Sequence, residues 1–417
     1  MRALLLVLIL TLPVFSFYAG EVIVQVEKTW DLSANETITE LLLNGTFLLE
    51  NDFQQILQKN VSEGAEFQTI GDTTYVVFEA DEFIGDKTIT ATATVHAAYP
   101  LEIASNPPFA PSQANATPLT QYDGPISSIA TSISSEKETE LEVVSALTDW
   151  TYRYLEYDLS YWGQSAPASA VYHEPKAVCV GYTHLLISML KSLGFETRFV
   201  SGYAFADEWQ AHAWAEVKIG DSWIPLDPTF RETGALDARH IASSYSEDQS
   251  EVFDTLIARG AGFTFNSTVS VQTSQKEQFE EVLFVHSVLY DDDLKVIIYN
   301  PTNSYVTPTY ELSLPEYLLP RDTRILTIAP EEFETRNYHL STGELEPGYA
   351  HTIPYRVVMQ GTTLNEEHII VKGTLENGEP TEKYELPKDE TEMCPLISAA
   401  IFLILFSFCI RLPQVQE

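Results

Sequence analysis

The run Ala211-His212-Ala213-Trp214-Ala215-Glu216-Val217-Lys218-Ile219-Gly220-Asp221-Ser222-Trp223-Ile224-Pro225-Leu226-Asp227 reads as two strands joined by a tight turn. Alternation puts His212, Trp214 and Glu216 on one face, with the alanines and Val217 on the other. Gly220-Asp221 suits a two-residue hairpin connection. Pairing outward from that turn sets Trp214 against Asp227 and His212 against Thr229. His212 and Asp227 then become diagonal neighbours on one face, within side-chain reach. A slip of one residue would send them to opposite faces. A His–Asp contact is therefore expected from sequence, conditional on the turn.

Upstream stands Cys179, the only cysteine between two apolar ends of the chain. It opens a helix whose Tyr182, Leu185, Leu186, Met189, Leu190 and Leu193 form one stripe, with Gly194 just past the end. A thiol at a helix N-terminus faces the positive end of the macrodipole, which favours thiolate. His212 would take the thiol proton and later give it to a leaving amine, while Asp227 would orient the imidazole. The Cys179 N–H would serve an oxyanion hole whose second donor the sequence does not name. His184 lies about 140° around the helix from Cys179 and reads as packed. His173 and the Tyr161-Trp162-Gly163 loop lie upstream; the loop is the better candidate for substrate contact. No HExxH or CxxC pairing points to a metal, so no cofactor is expected.

The blocks Pro175-Lys176-Ala177-Val178-Cys179-Val180-Gly181-Tyr182, Val200-Ser201-Gly202-Tyr203, Ala211 to Val217 and Trp223-Ile224-Pro225-Leu226-Asp227-Pro228-Thr229 together resemble the transglutaminase-like superfamily. The resemblance covers roughly residues 125–235. It implies a papain-related α+β fold with Cys179 as nucleophile, His212 as general base and Asp227 as orienter. Trp214, Trp223 and Tyr182 would be supporting residues near the cleft. One position departs: the family usually has Gly two residues before the cysteine, and this chain has Ala177, whose methyl is expected to crowd the backbone beside the nucleophile.

The chain of 417 residues carries a net charge of -37, which argues against nucleic-acid partners. Residues 1–20 read as a secretory signal: Arg2, an apolar run, then Ala19-Gly20. Residues 393–410 are apolar without a polar stripe and are expected to form a membrane span, with 411–417 as a cytoplasmic tail. Sequons at Asn35, Asn44, Asn60, Asn115 and Asn266 suit a glycosylated exterior. Acidity and the lack of disulfide partners would fit an archaeal or other microbial surface. Cys394 and Cys409 belong to the expected anchor.

Between the ends the expectation is a multidomain chain: a β-rich segment at 21–118, the α+β domain at 119–262 and an immunoglobulin-like β-sandwich at 263–388. Ser135 and Glu138 read as a capping box at a helix start. The functional expectation is a cell-surface thiol enzyme acting on protein or peptide substrates through an acyl-enzyme. Hydrolysis, as protease or amidase, is preferred over protein-glutamine crosslinking. The alternative from another class is a non-catalytic adhesion or cell-envelope protein with an inactive thiol domain.

Overall fold

The computed structural model describes residues 20–99, 103–278, 283–290, 292–346, 349–359 and 362–372. The expected signal, membrane span and tail lie outside these residues, apart from Gly20. Among the described residues no helix is long and apolar enough to cross a membrane.

The first six strands are β1 (Glu21–Ile38), β2 (Glu40–Leu49), β3 (Gln54–Val61), β4 (Glu66–Ile70), β5 (Thr73–Ala80) and β6 (Phe83–Ala98). In β1 a strict alternation buries Val22, Val24, Val26, Trp30 and Leu32, the pattern of a sheet with one packed face. Those side chains meet Leu41, Leu43, Phe47 and Val76 of the facing sheet in one core.

The central segment holds α1 (Gly124–Ser134), α2 (Glu140–Tyr154), the short strand β7 (Glu156–Tyr157), α3 (Ala168–His173), β8 (Lys176–Ala177) and α4 (Cys179–Ser192). Then come β9 (Thr197–Phe205), β10 (Trp209–Ile219), β11 (Ser222–Asp227), β12 (Glu232–Thr233) and β13 (His240–Ser246). These five strands form one sheet in the order β12-β11-β10-β9-β13. The helix start expected at Ser135 falls four residues later. Glu142 accepts from the Thr139 N–H at 3.0 Å, making Thr139/Glu142 the capping box. Ser135 instead ends α1, a helix opened by Asp123 and Pro125.

The sheet is covered on both faces. Ala213, Ala215 and Val217 share a core with Leu185, Leu186 and Met189 of α4. On the other face Trp214 and Val200 pack with Leu49 and Tyr99 of the N-terminal part. Strand β10 is thus buried on both sides, which its alternating alanines and large residues permit.

The chain next returns to where it started. Strand β14 (Thr255–Arg259) pairs with β2, and β15 (Phe263–Gln278) pairs with β1 along thirteen partner pairs. The sandwich therefore consists of sheets β15-β1-β6-β3 and β14-β2-β5-β4. Residues 255–278, which the sequence divides between the central and C-terminal segments, belong to the N-terminal sandwich.

Beyond it lie β16 (Phe284–Tyr290), β17 (Asp293–Tyr299), β18 (Thr309–Ser313), β19 (Asp322–Ile325), β20 (Phe333–His339), β21 (Ala350–Met359) and β22 (Thr362–Lys372). They form a sheet β16-β17-β20 and a sheet β19-β18-β21-β22. The turn after β17 is built on Asn300, whose side-chain amide donates to the Ser304 carbonyl at 2.8 Å. Among the described residues, 342–346, 349–352 and 370–372 cluster as a separate small unit, in which a 3-10 turn spans Thr342–Glu344.

One buried ion pair ties the two parts of the sandwich together. Lys28 takes a core-facing position on β1, and burial pulls its pKa down. Asp254 answers it at 2.9 Å and also accepts from Trp30 Nε1 at 2.7 Å and from the Thr46 N–H at 2.9 Å. Removing one partner of such a pair strands the other charge. Asp254→Ala should cost about 3 kcal/mol or more in urea unfolding. Lys28→Met should cost less, because Asp254 keeps its two N–H donors. Equal, near-zero losses would refute the clamp.

Candidate active site

The β10–β11 ladder runs Ile219↔Ser222, Val217↔Ile224 and Ala215↔Leu226, the register expected from the Gly220-Asp221 turn. Gly220 adopts φ 58°, the left-handed conformation this turn demands. Past Leu226 the ladder stops. His212 Nε2 then reaches diagonally to Asp227 Oδ2 at 2.6 Å.

With Nε2 committed to Asp227, the other ring nitrogen is the one that faces the thiol of Cys179, a hydrogen-bond partner of His212. Cys179 is the first residue of α4, buried at 3% exposure. Thr183, one turn along the helix, fixes this meeting. Its hydroxyl sits 2.9 Å from the Cys179 carbonyl and 3.1 Å from the Ala213 carbonyl, tying the first turn of α4 to the strand beside His212. Nothing in the sequence marks Thr183 for this role, because a threonine in a helix carries no signal of a partner strand.

Asp227 has no solvent exposure. Its Oδ1 accepts from the backbone N–H groups of Thr229 at 2.6 Å and Phe230 at 3.1 Å. Burial alone would raise its pKa, but His212 and His240 hold it far below the usual carboxylate range. For His212, burial pulls the pKa down. The charge and hydrogen bond of Asp227, joined by Cys179, outweigh that and hold it at about 9. Phe230 stacks on the His212 ring, with centroids 4.9 Å apart.

The turn that delivers those two amides includes Arg231, at φ 64°. A non-glycine residue held there is strained and needs outside support. Asp149 of α2 supplies it, accepting from Arg231 Nε at 2.7 Å.

The supporting residues named from sequence fall in three places. Trp214 is fully buried and lies edge-on to His240, centroids 5.3 Å apart. Tyr182 is buried in the core with its hydroxyl on the Leu155 carbonyl at 2.8 Å. Trp223 sits four residues up β11 from Asp227 and packs on the Arg198 guanidinium at 4.2 Å. His184 is packed, bonded to the Ala166 carbonyl at 2.7 Å, with its pKa lowered by burial. His173 ends α3 in an exposed position, and Trp162 stands exposed in its loop.

Two further residues at the site, besides Thr183, carry no signal in the sequence. Tyr157, next to Ala177 in the parallel β7–β8 pair, turns its hydroxyl to the Cys179 backbone N–H. Burial is the main cause that lifts its pKa to about 12. His240 bonds the same carboxylate oxygen as His212, at 3.0 Å.

Two overlapping trios, His212–Asp227–His240 and Glu232–Asp237–His240, bring ligand-type atoms within 4.8 Å. The imidazole nitrogens on these carboxylates act as N–H donors in ion pairs. A cation would have to take the lone pairs those bonds already use.

Residues 127–228 match the family model described as the Transglutaminase-like superfamily. The central domain is transglutaminase-like. A further match to this chain is an uncharacterized protein of Mycobacterium leprae (strain TN), 27% identical over 122 residues, covering 27% of this chain and 43% of that protein. The chain thus aligns with under half the length of that relative. Among solved structures, "a putative cysteine protease from Cytophaga hutchinsonii" is 18% identical with a TM-score of 0.46, covering 66% of this chain and 95% of that one. A red sea bream transglutaminase is 8% identical with a TM-score of 0.23, covering 81% and 92%.

The departure at Ala177 has a local answer in the transglutaminase-like domain. Ala177 is buried, and its methyl occupies the space left by Gly181: a Cβ built on Gly181 would lie 2.4 Å from it. Gly181→Ala should destabilise the protein by about 1–3 kcal/mol through overpacking. Adding Ala177→Gly should recover part of that in thermal melts; no recovery would refute the paired fit.

The raised His212 pKa also sets a pH dependence. The stabilisation from its charged form is full below the ordinary histidine value of 6.5 and is lost as pH rises through about 9. Melting midpoints followed from pH 6 to 10 should fall across that window in the wild type and fall less in His212→Asn. Parallel curves would contradict the assignment.

Proposed function

We propose that this chain is an extracytoplasmic thiol hydrolase of peptide or amide bonds, held at a membrane by residues 393–410. The observation that carries the reading is the ordered contact from Cys179 at the start of α4 to His212 and on to Asp227.

With His212 already holding the proton as an imidazolium, the Cys179 sulfur attacks the substrate carbonyl carbon. Charge on the carbonyl oxygen is met by the Cys179 N–H, the group now paired with Tyr157. The C–N bond breaks as His212 returns the proton to the leaving amine, giving a thioester. Water, deprotonated by His212, then attacks the thioester and releases the acid and the thiol. Asp227 stays ionised throughout and keeps the imidazole aligned.

The low exposure of Cys179 favours a second reading, an adhesion or envelope protein whose thiol domain does not turn over. Alkylation separates the two. Iodoacetamide at pH 6–7 should modify Cys179 rapidly in the folded protein and about ten-fold or more slowly in His212→Ala. A thiol inert until denaturation would sink the enzyme reading. Incubation with a glutamine-bearing protein and a labelled amine then tests the acceptor. Incorporation that vanishes in Cys179→Ser would make the enzyme a crosslinker and not a hydrolase.

A further inference from the structure

Behind Asp227, on the side away from the thiol, His240 sits with no solvent exposure on β13. Its Nε2 lies 3.0 Å from Asp227 Oδ2 and its Nδ1 lies 3.1 Å from both Asp237 Oδ1 and the Asp237 carbonyl. Oxygens of two carboxylates and a carbonyl are what its nitrogens meet. The ionised oxygens accept and do not donate, so both nitrogens carry hydrogen and the ring is an imidazolium.

The surrounding charges fit that state. Arg239 pairs with Asp237 Oδ2, its Nη2 at 2.6 Å, which keeps Asp237 ionised. Glu232 on β12 is buried and accepts from the Asp237 N–H at 3.2 Å; burial pushes its pKa well above the usual carboxylate range. Tyr99 donates to the His240 carbonyl at 3.1 Å, and the rings of Trp214 and Phe230 close the sides. His212 on β10 faces His240 across Asp227, ring centroids 5.7 Å apart. Burial lowers the pKa of His240, and its two carboxylate partners raise it well past that loss. From thiol to surface the order is Cys179, His212, Asp227, His240, Asp237, Arg239.

We propose that His240 is a positioning residue, a permanent cation that holds Asp227 ionised and aimed and shares its charge with His212, thereby setting the pH at which His212 releases its proton. This deepens the reading of Cys179, His212 and Asp227 as a working triad and rests on it. A second cation on one carboxylate weakens the hold of that carboxylate on His212. Removing it should therefore raise the proton affinity of His212, whereas a structural filler would lower activity without moving any titration.

The test is a 15N-histidine NMR titration of the full chain, in the wild type, His240→Gln and Asp237→Asn, with circular dichroism to confirm folding. In His240→Gln the His212 titration should move up by about one pH unit, ten-fold in proton affinity. Asp237→Asn removes the anion that keeps His240 charged and leaves the Asp227 contact in place, so it should shift His212 the same way. If His240→Gln fails to fold, Asp237→Asn alone decides. The upper inflection of the iodoacetamide rate against pH at Cys179 should follow the NMR shift. An unmoved His212 titration in a folded variant overturns the role of His240. Failure of wild-type alkylation instead overturns the nucleophile and leaves the NMR result standing.

Discussion

A carboxylate with no access to water has to be ionised by its neighbours, and Asp227 recruits them from every side. His212 comes from β10, His240 from β13, and two amides come from the turn that follows Asp227 itself. These four donors come from three separate elements, so the sheet order, the strained turn at Arg231 and the dock of α4 through Thr183 must all hold together. An unpaired buried carboxylate costs several kcal/mol. The site is therefore a structural constraint on the sheet as well as a chemical device.

The sequence made legible what depends on short-range periodicity. Turn chemistry at Gly220-Asp221 and alternation from Ala211 to Val217 fixed a register, and the register fixed His212 against Asp227. The helix of Cys179 was equally plain, since its apolar stripe and Gly194 are local. Long-range pairing was not. His240 sits thirteen residues past Asp227 in a segment with no turn signal aimed at the site, and only the pairing of β13 with β9 brings it there. Strands β14 and β15 join the N-terminal sandwich through pairing across more than 200 residues, and a period of two says nothing about whose edge a strand will join.

Ala177 illustrates a different limit. Against the family pattern it looks like an obstruction beside the nucleophile. In three dimensions its methyl, on β8, is the filling for a gap at Gly181, four residues on in the first turn of α4. Packing is shared between positions, so a departure at one of them acquires meaning only beside its neighbour.

The return of β14 and β15 to the N-terminal sandwich makes the central segment an excursion between two parts of one sandwich. Strand β1 finds its partner β15 only after more than 200 intervening residues have been synthesised. At a synthesis rate of about 5–20 residues per second, that leaves the β1 edge unpaired for roughly ten seconds to a minute. Closure of so long a loop is a slow, high-contact-order event. During that interval the open edge of β1 is an aggregation hazard, since β6 pairs only with its other edge.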